Sequence, residues 1–163
     1  MGDIAIGRED LHGEAARGLI GALNAELSAA YPEPGATHFH LDPAEVAPGR
    51  GAFLVARAGG APAGCGAVRL LPDGAAEVKR MFVVPEFRGR GIGRAVLRAL
   101  EEEARRLGAR RLVLETGTRQ RAALGLYRDE GFGEIPPYGT YLAPAEAPYL
   151  ATGLSLFLGK PLD

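Results

Sequence analysis

The chain has 163 residues, of which 24% are charged and 47% hydrophobic, enough for one domain with a sizeable core and against global disorder. Its net charge of −1 supplies no overall field to hold nucleic acid or an anionic membrane. No apolar run reaches the ~18 residues that a membrane span needs.

Cys65 is the sole cysteine, so an intrachain disulfide is excluded, which fits a reducing compartment. Within Gly64-Cys65-Gly66-Ala67-Val68 it reads as a strand-interior thiol, buried and inert. The sequence does not open on a basic, apolar leader. The expectation is a soluble cytoplasmic protein with one domain over residues 1–163.

Ala5-Ile6 predicts a short strand, and Glu9-Asp10 can cap a helix beginning just after it. From Leu11 to Tyr31, apolar residues recur at Leu11, Ala15, Leu19, Leu23 and Leu27, a helical spacing. Gly13, Gly18 and Gly21 each weaken that helix by about 1 kcal/mol relative to alanine, so a bend or break is expected. Tyr31-Pro32-Glu33-Pro34-Gly35 ends it. Residues 36–51 show no clear period apart from a short helix after Asp42-Pro43, and His38 and His40 there read as surface residues, not metal ligands.

A run of strands comes next, at 52–56, 63–71 and 76–84, joined by the turn signals Gly59-Gly60 and Leu71-Pro72-Asp73-Gly74. Three strands on short turns make an antiparallel meander. The last feeds Val84-Pro85-Glu86-Phe87-Arg88-Gly89-Arg90-Gly91-Ile92-Gly93-Arg94, an arginine- and glycine-rich loop opening a long helix. A helix start offers unpaired N–H groups and partial positive charge, and Gly89, Gly91 and Gly93 let a large anion approach them. The loop therefore suits a pyrophosphate, with Arg88, Arg90 and Arg94 as candidate phosphate contacts.

An apolar stripe at Ile92, Val96, Ala99, Leu100, Ala104 and Leu107 predicts a helix ended by Gly108. Arg111-Leu112-Val113-Leu114-Glu115 reads as a buried strand, parallel to the one before the helix. Ala122, Ala123, Leu126 and Tyr127 mark a further helix ended by Gly131, and strands are expected at 132–135 and 154–158. The proline- and aromatic-rich segment between those strands reads as a long functional loop.

Two motifs in this order carry a resemblance. Arg88, Gly91 and Gly93 meet an Arg-x-x-Gly-x-Gly signature, and Leu126-Tyr127-Arg128-Asp129-Glu130-Gly131-Phe132 meets a Leu-Tyr-x-x-x-Gly-Phe signature. Over roughly residues 52–135 the chain resembles the GCN5-related N-acetyltransferase (GNAT) family. A Rossmann dinucleotide site fits less well, because three antiparallel strands precede the glycine loop.

The resemblance implies an α/β (α+β) fold. Its central, mostly antiparallel sheet is flanked by helices, with a splayed parallel strand pair around the cofactor loop. It implies acetyl-CoA as co-substrate, no metal, and an amine acceptor, either a small molecule or a peptide N-terminus. Neither nucleic acid nor membrane is a partner, and a homodimer is allowed for. The pyrophosphate would lie on Arg88, Gly89, Arg90, Gly91, Ile92, Gly93 and Arg94, and the pantetheine along the backbone of Met81, Phe82 and Val83. Tyr127 stands where the family places a general acid. Glu77 and Glu115 each stand where some members place a base, with Lys79, Arg80 and Arg111 as ion-pair partners if they play no such part. Gln120 replaces an Asn that contacts the cofactor in many members. The acceptor would be bounded by residues 27–41 and 138–149, with Tyr31, Glu33, His38, His40, Tyr138, Tyr141, Glu146 and Tyr149. A catalytically silent acyl-CoA-binding module is the alternative, and it would have no need of Glu77, Glu115 and Tyr127.

Overall fold

The computed structural model describes residues 3–33, 41–142 and 153–163. Strand β1 (Ile4–Arg8) leads into helix α1 (Glu14–Ala30), and strands β2 (Gly51–Ala58), β3 (Ala61–Leu70) and β4 (Ala76–Val83) come after it. Helix α2 (Ile92–Arg106), strand β5 (Arg111–Gly117), helix α3 (Arg121–Asp129) and strands β6 (Gly133–Glu134) and β7 (Ser155–Pro161) complete the chain. They build one seven-stranded sheet in the order β1-β2-β3-β4-β5-β7-β6. Every pairing is antiparallel except that of β4 with β5. This mixed, mostly antiparallel sheet with helices on both faces is the expected fold class.

The two faces have separate cores, as strand periodicity requires. Val68, Val78, Leu112 and Leu114 face α2 and α3, where they meet Val96, Leu100 and Leu124. Phe53, Val55, Cys65 and Ala67 face α1, meeting Ala16, Leu19 and Leu23. Cys65 is wholly buried, and burial pushes its thiol up to about 12, so it is inert as expected.

Helix α1 runs unbroken through Gly18 and Gly21, where a bend was expected. A Cβ at either glycine would meet nothing within 4 Å, so both lie on the open side. The buried Ala16, Leu19 and Leu23 stripe holds the helix, and packing outweighs propensity. Gly13 is its N-cap in place of Glu9 or Asp10, and Asp10 Oδ1 accepts from the His12 N–H instead. The expected short helix after Asp42-Pro43 is a 3-10 turn, Pro43–Val46, closed by a capping box between Asp42 and Glu45. The strand expected at 132–135 shrinks to Gly133–Glu134 at the sheet edge.

Candidate active site

The site is a fork in the sheet. β4 and β5 pair only at Ala76↔Leu112 and Glu77↔Val113, then part company. β5 stays paired with β7 along its whole length, so it is β4 that turns away. Its register with β3 shifts between Cys65/Phe82 and Ala67/Lys79, a bulge that places Arg80 at φ 59. A positive φ is rare for a residue with a side chain and is characteristic of strained functional segments. The fork opens a cleft of about 590 Å³ bounded by α1, β4, β5, α3 and the N-terminus of α2.

The glycine loop closes one end of this cleft. Gly91 is the N-cap of α2, in the left-handed region at φ 78, and no side chain caps the helix. Ala95 N–H makes the first helical bond, to Gly91 O, so the N–H groups of Ile92, Gly93 and Arg94 precede it. Gly89, also in that region at φ 81, Gly91 and Gly93 line the cleft. Met81, Phe82, Val83, Arg88, Ile92, Arg94 and Gln120 line it too.

The arginines of the loop have partners within the protein. Arg88 donates to Val83 O (2.9 Å) and Glu26 Oε1 (2.8 Å) and lies over the Phe82 ring. Arg94 pairs with Glu130 at 2.7 Å. Arg90 is outside the cleft lining and stacks on Phe87, 5.4 Å from the ring centre. Arg88 and Arg94 fasten the loop to α1 and to the end of α3, while its glycines line the cleft.

Glu77 is only 1% exposed. Its Oε1 accepts from Arg69 Nε (2.8 Å), and its Oε2 accepts from the hydroxyls of Tyr138 (2.7 Å) and Tyr141 (3.1 Å). Lys79, Arg80 and Arg111 are therefore not its ion-pair partners. Arg69 stands directly opposite Glu77 in the β3–β4 register, which brings the two side chains onto one face. Arg69 also bonds Glu45, and Arg111 pairs with Asp73 at 2.6 Å.

Glu115 occupies the other limb of the fork, half-buried, with Ser155 Oγ donating to its Oε2 at 2.7 Å. Tyr127 is buried in α3 and lines the same cleft. Burial, with the Glu115 charge second, raises its phenol pKa well above the ordinary value, so the hydroxyl keeps its proton. Burial raises Tyr138 in the same way, with Glu77 as the next cause.

The Acetyltransferase (GNAT) family pattern matches residues 18–132. An "IAA acetyltransferase" of Azospirillum brasilense is 40% identical over 163 residues, spanning 99% of this chain and 100% of that one. This chain belongs to the GNAT acetyltransferase family. A crystal structure from Klebsiella pneumoniae, provisionally named an acyl-CoA N-acyltransferase, superposes with a TM-score of 0.79. It is 32% identical and covers 98% of both chains. A PaiA N-acetyltransferase from Thermoplasma acidophilum, solved with coenzyme A, shares the fold at a TM-score of 0.69 and 16% identity over 98% of this chain and 99% of that one.

Within this GNAT fold, two features had no signal in the sequence. Tyr31, expected only as an acceptor-side residue, has its hydroxyl wedged under the turn after β5, where it accepts from the Arg119 N–H at 2.7 Å. Arg119 in turn binds Ala30 O and Glu33, locking the end of α1 to that turn. Tyr138 and Tyr141 serve Glu77, and with Phe157 they form an edge-to-face cluster. His38, His40, Glu146 and Tyr149 lie outside the described residues. Among those residues, no group of three His, Cys, Asp or Glu could hold a metal, and no helix is long and apolar enough to cross a membrane.

Proposed function

We propose that this GNAT acetyltransferase moves an acetyl group from acetyl-CoA to a primary amine by direct attack while both substrates are bound. One observation carries this reading: an uncapped helix N-terminus, a carboxylate and a protonated phenol line one cleft. The helix N-terminus suits the pyrophosphate. The diverging edge of β4 at Met81, Phe82 and Val83 suits the pantetheine, and a backbone N–H near the bulge suits the thioester oxygen as it becomes anionic. The provisional name of the Klebsiella relative supports an acyl-CoA donor.

Glu115 is the better base of the two glutamates. Glu77 already accepts three hydrogen bonds and is sealed by Arg69 and two tyrosines. Glu115 faces the cleft beside Tyr127. Glu115 takes a proton from the acceptor ammonium, and the freed amine adds to the thioester carbon. The C–S bond then breaks, Tyr127 donates its proton to the departing thiolate, and the extra proton on the new amide nitrogen leaves it and restores the Tyr127 phenol. The acceptor is a small-molecule amine or a peptide N-terminus, and residues 1–163 act as one cytoplasmic N-acetyltransferase domain.

The test is thiol release from acetyl-CoA over an amine panel, with calorimetry of Gly93→Glu. A Cβ at Gly93 would make only ordinary contacts, 3.4 Å to Leu126 and 3.5 Å to Val83, and an acid in the first helical turn suits the dipole. The variant should therefore fold yet bind acetyl-CoA at least ~10-fold more weakly, because its carboxylate occupies the anion's place. Unchanged affinity in the folded variant would overturn the loop assignment, and no thiol release with any amine would overturn the activity.

A further inference from the structure

Two residues beyond the last β4–β5 pair, Glu77↔Val113, stand Lys79 on one limb and Glu115 on the other. Side chains alternate along a strand, so both project to the face that carries Glu77. That face is the α1 side, since Ala67, opposite Lys79, packs in the α1 core and Gly117, two residues past Glu115, abuts Tyr31. The fork thus holds one cation and one carboxylate apart on its two limbs, both lining the cleft.

Lys79 is the unsatisfied member of its neighbourhood. Arg69 is engaged by Glu77 and Glu45, and Arg80 bonds Asn24. Lys79 is half-buried and makes neither a hydrogen bond nor an ion pair among the described residues. Burial lowers its pKa, while the more distant charges of Glu77 and Glu45 oppose that shift and Arg69 and Arg80 add to it. Around Lys79 there are thus three cations, Lys79 itself with Arg69 of β3 and Arg80 of β4, against the two carboxylates Glu45 and Glu77. A partly desolvated ammonium with no partner is costly unless a ligand supplies the anion.

We propose that the acceptor is an α-amino acid, its amine turned to Glu115 and its carboxylate held by Lys79. This rests on the acetyl-transfer reading above and narrows it. A zwitterion presents its two charges to the fork in complementary order. A peptide N-terminus or a simple alkylamine has no carboxylate beside the amine and leaves Lys79 uncompensated.

The experiment compares kcat/KM for amino acids with that for their carboxamides, at saturating acetyl-CoA and per free amine. The wild type should prefer the acids by tenfold or more. That ratio should fall toward one in Lys79→Gln and recover in Lys79→Arg, while the KM for acetyl-CoA holds. Equal rates for acids and carboxamides in the wild type, which needs no variant to fold, would overturn the proposal while leaving acetyl transfer intact. So would a preference that survives Lys79→Gln, or turnover of carboxylate-free amines alone. Failure to acetylate any amine would overturn both this proposal and the reading beneath it.

Discussion

Two glutamates at the same fork, one in its last strand pair and one two positions beyond it, can have opposite uses, and their hydrogen bonds say which. Glu77 is sealed, with Arg69 on one oxygen and two phenols on the other. Removing its charge leaves Arg69, itself only 22% exposed, with Glu45 alone. Breaking a buried pair from one side typically costs ~3 kcal/mol or more, so Glu77→Gln should lower the midpoint of thermal unfolding by several degrees. Glu115→Gln should leave that midpoint near the wild type but lower kcat by roughly 10²-fold or more, and flatten the acid side of the rate–pH profile. Calorimetric scans and pH–rate profiles of both variants separate the two, and the reverse pattern would make Glu77 the base. At this scale the sequence offered both glutamates equally, because it does not print the cross-strand register. Which cation faces Glu77 depends on Arg69 lying opposite it, with Lys79 about 7 Å further along the strand.

Among the elements, β3 and α2 meet through glycine. A Cβ on Gly64 would come within 2.8 Å of Phe82 O, and one on Gly66 within 2.7 Å of Met81 Sδ and 2.8 Å of Leu100 Cδ1. The obstacle at Gly64 is backbone, so it cannot be relieved by a rotamer change. It lies on β4 beside the bulge that opens the cleft. Gly64→Ala should therefore cost ~1–3 kcal/mol, the usual penalty of overpacking, and weaken acetyl-CoA binding together with stability. Denaturant unfolding and calorimetry on the same preparations test this, and a loss of stability without any change in affinity would uncouple β3 from the cleft. The strands, α2 and the glycine loop were legible because period-two and period-3.6 patterns ran between clear turn signals. The continuity of α1 was not, since propensity counts Gly18 and Gly21 as defects and cannot see that both face outward. The bulge was equally hidden, because nothing in Lys79-Arg80-Met81 announces an arginine at φ 59.

Across the whole molecule, the cleft stays closed at its α1 side by a contact between parts of the chain that are far apart in sequence. Tyr31, at the end of α1, is 4% exposed, and its hydroxyl fills the space that a side chain at residue 117 would need. A Cβ on Gly117 would lie 2.0 Å from that hydroxyl oxygen and 2.4 Å from the ring carbon that bears it. Gly117→Ala should accordingly cost ~1–3 kcal/mol through overpacking. Tyr31→Ala should cost ~3–5 kcal/mol, as large-to-small aromatic substitutions do, since it empties a buried site and leaves the Arg119 N–H without its acceptor. The two losses share one cause, and so they should not add. With the ring gone, a methyl at 117 meets no obstacle and fills part of the void, so the double variant should be no less stable than Tyr31→Ala alone. Unfolding free energies of the four proteins complete the cycle, with an expected coupling of ~1 kcal/mol or more in the direction of rescue. Additive losses would mean that Tyr31 and Gly117 are independent, and that α1 is tied to the cleft by Arg119 and Glu33 instead.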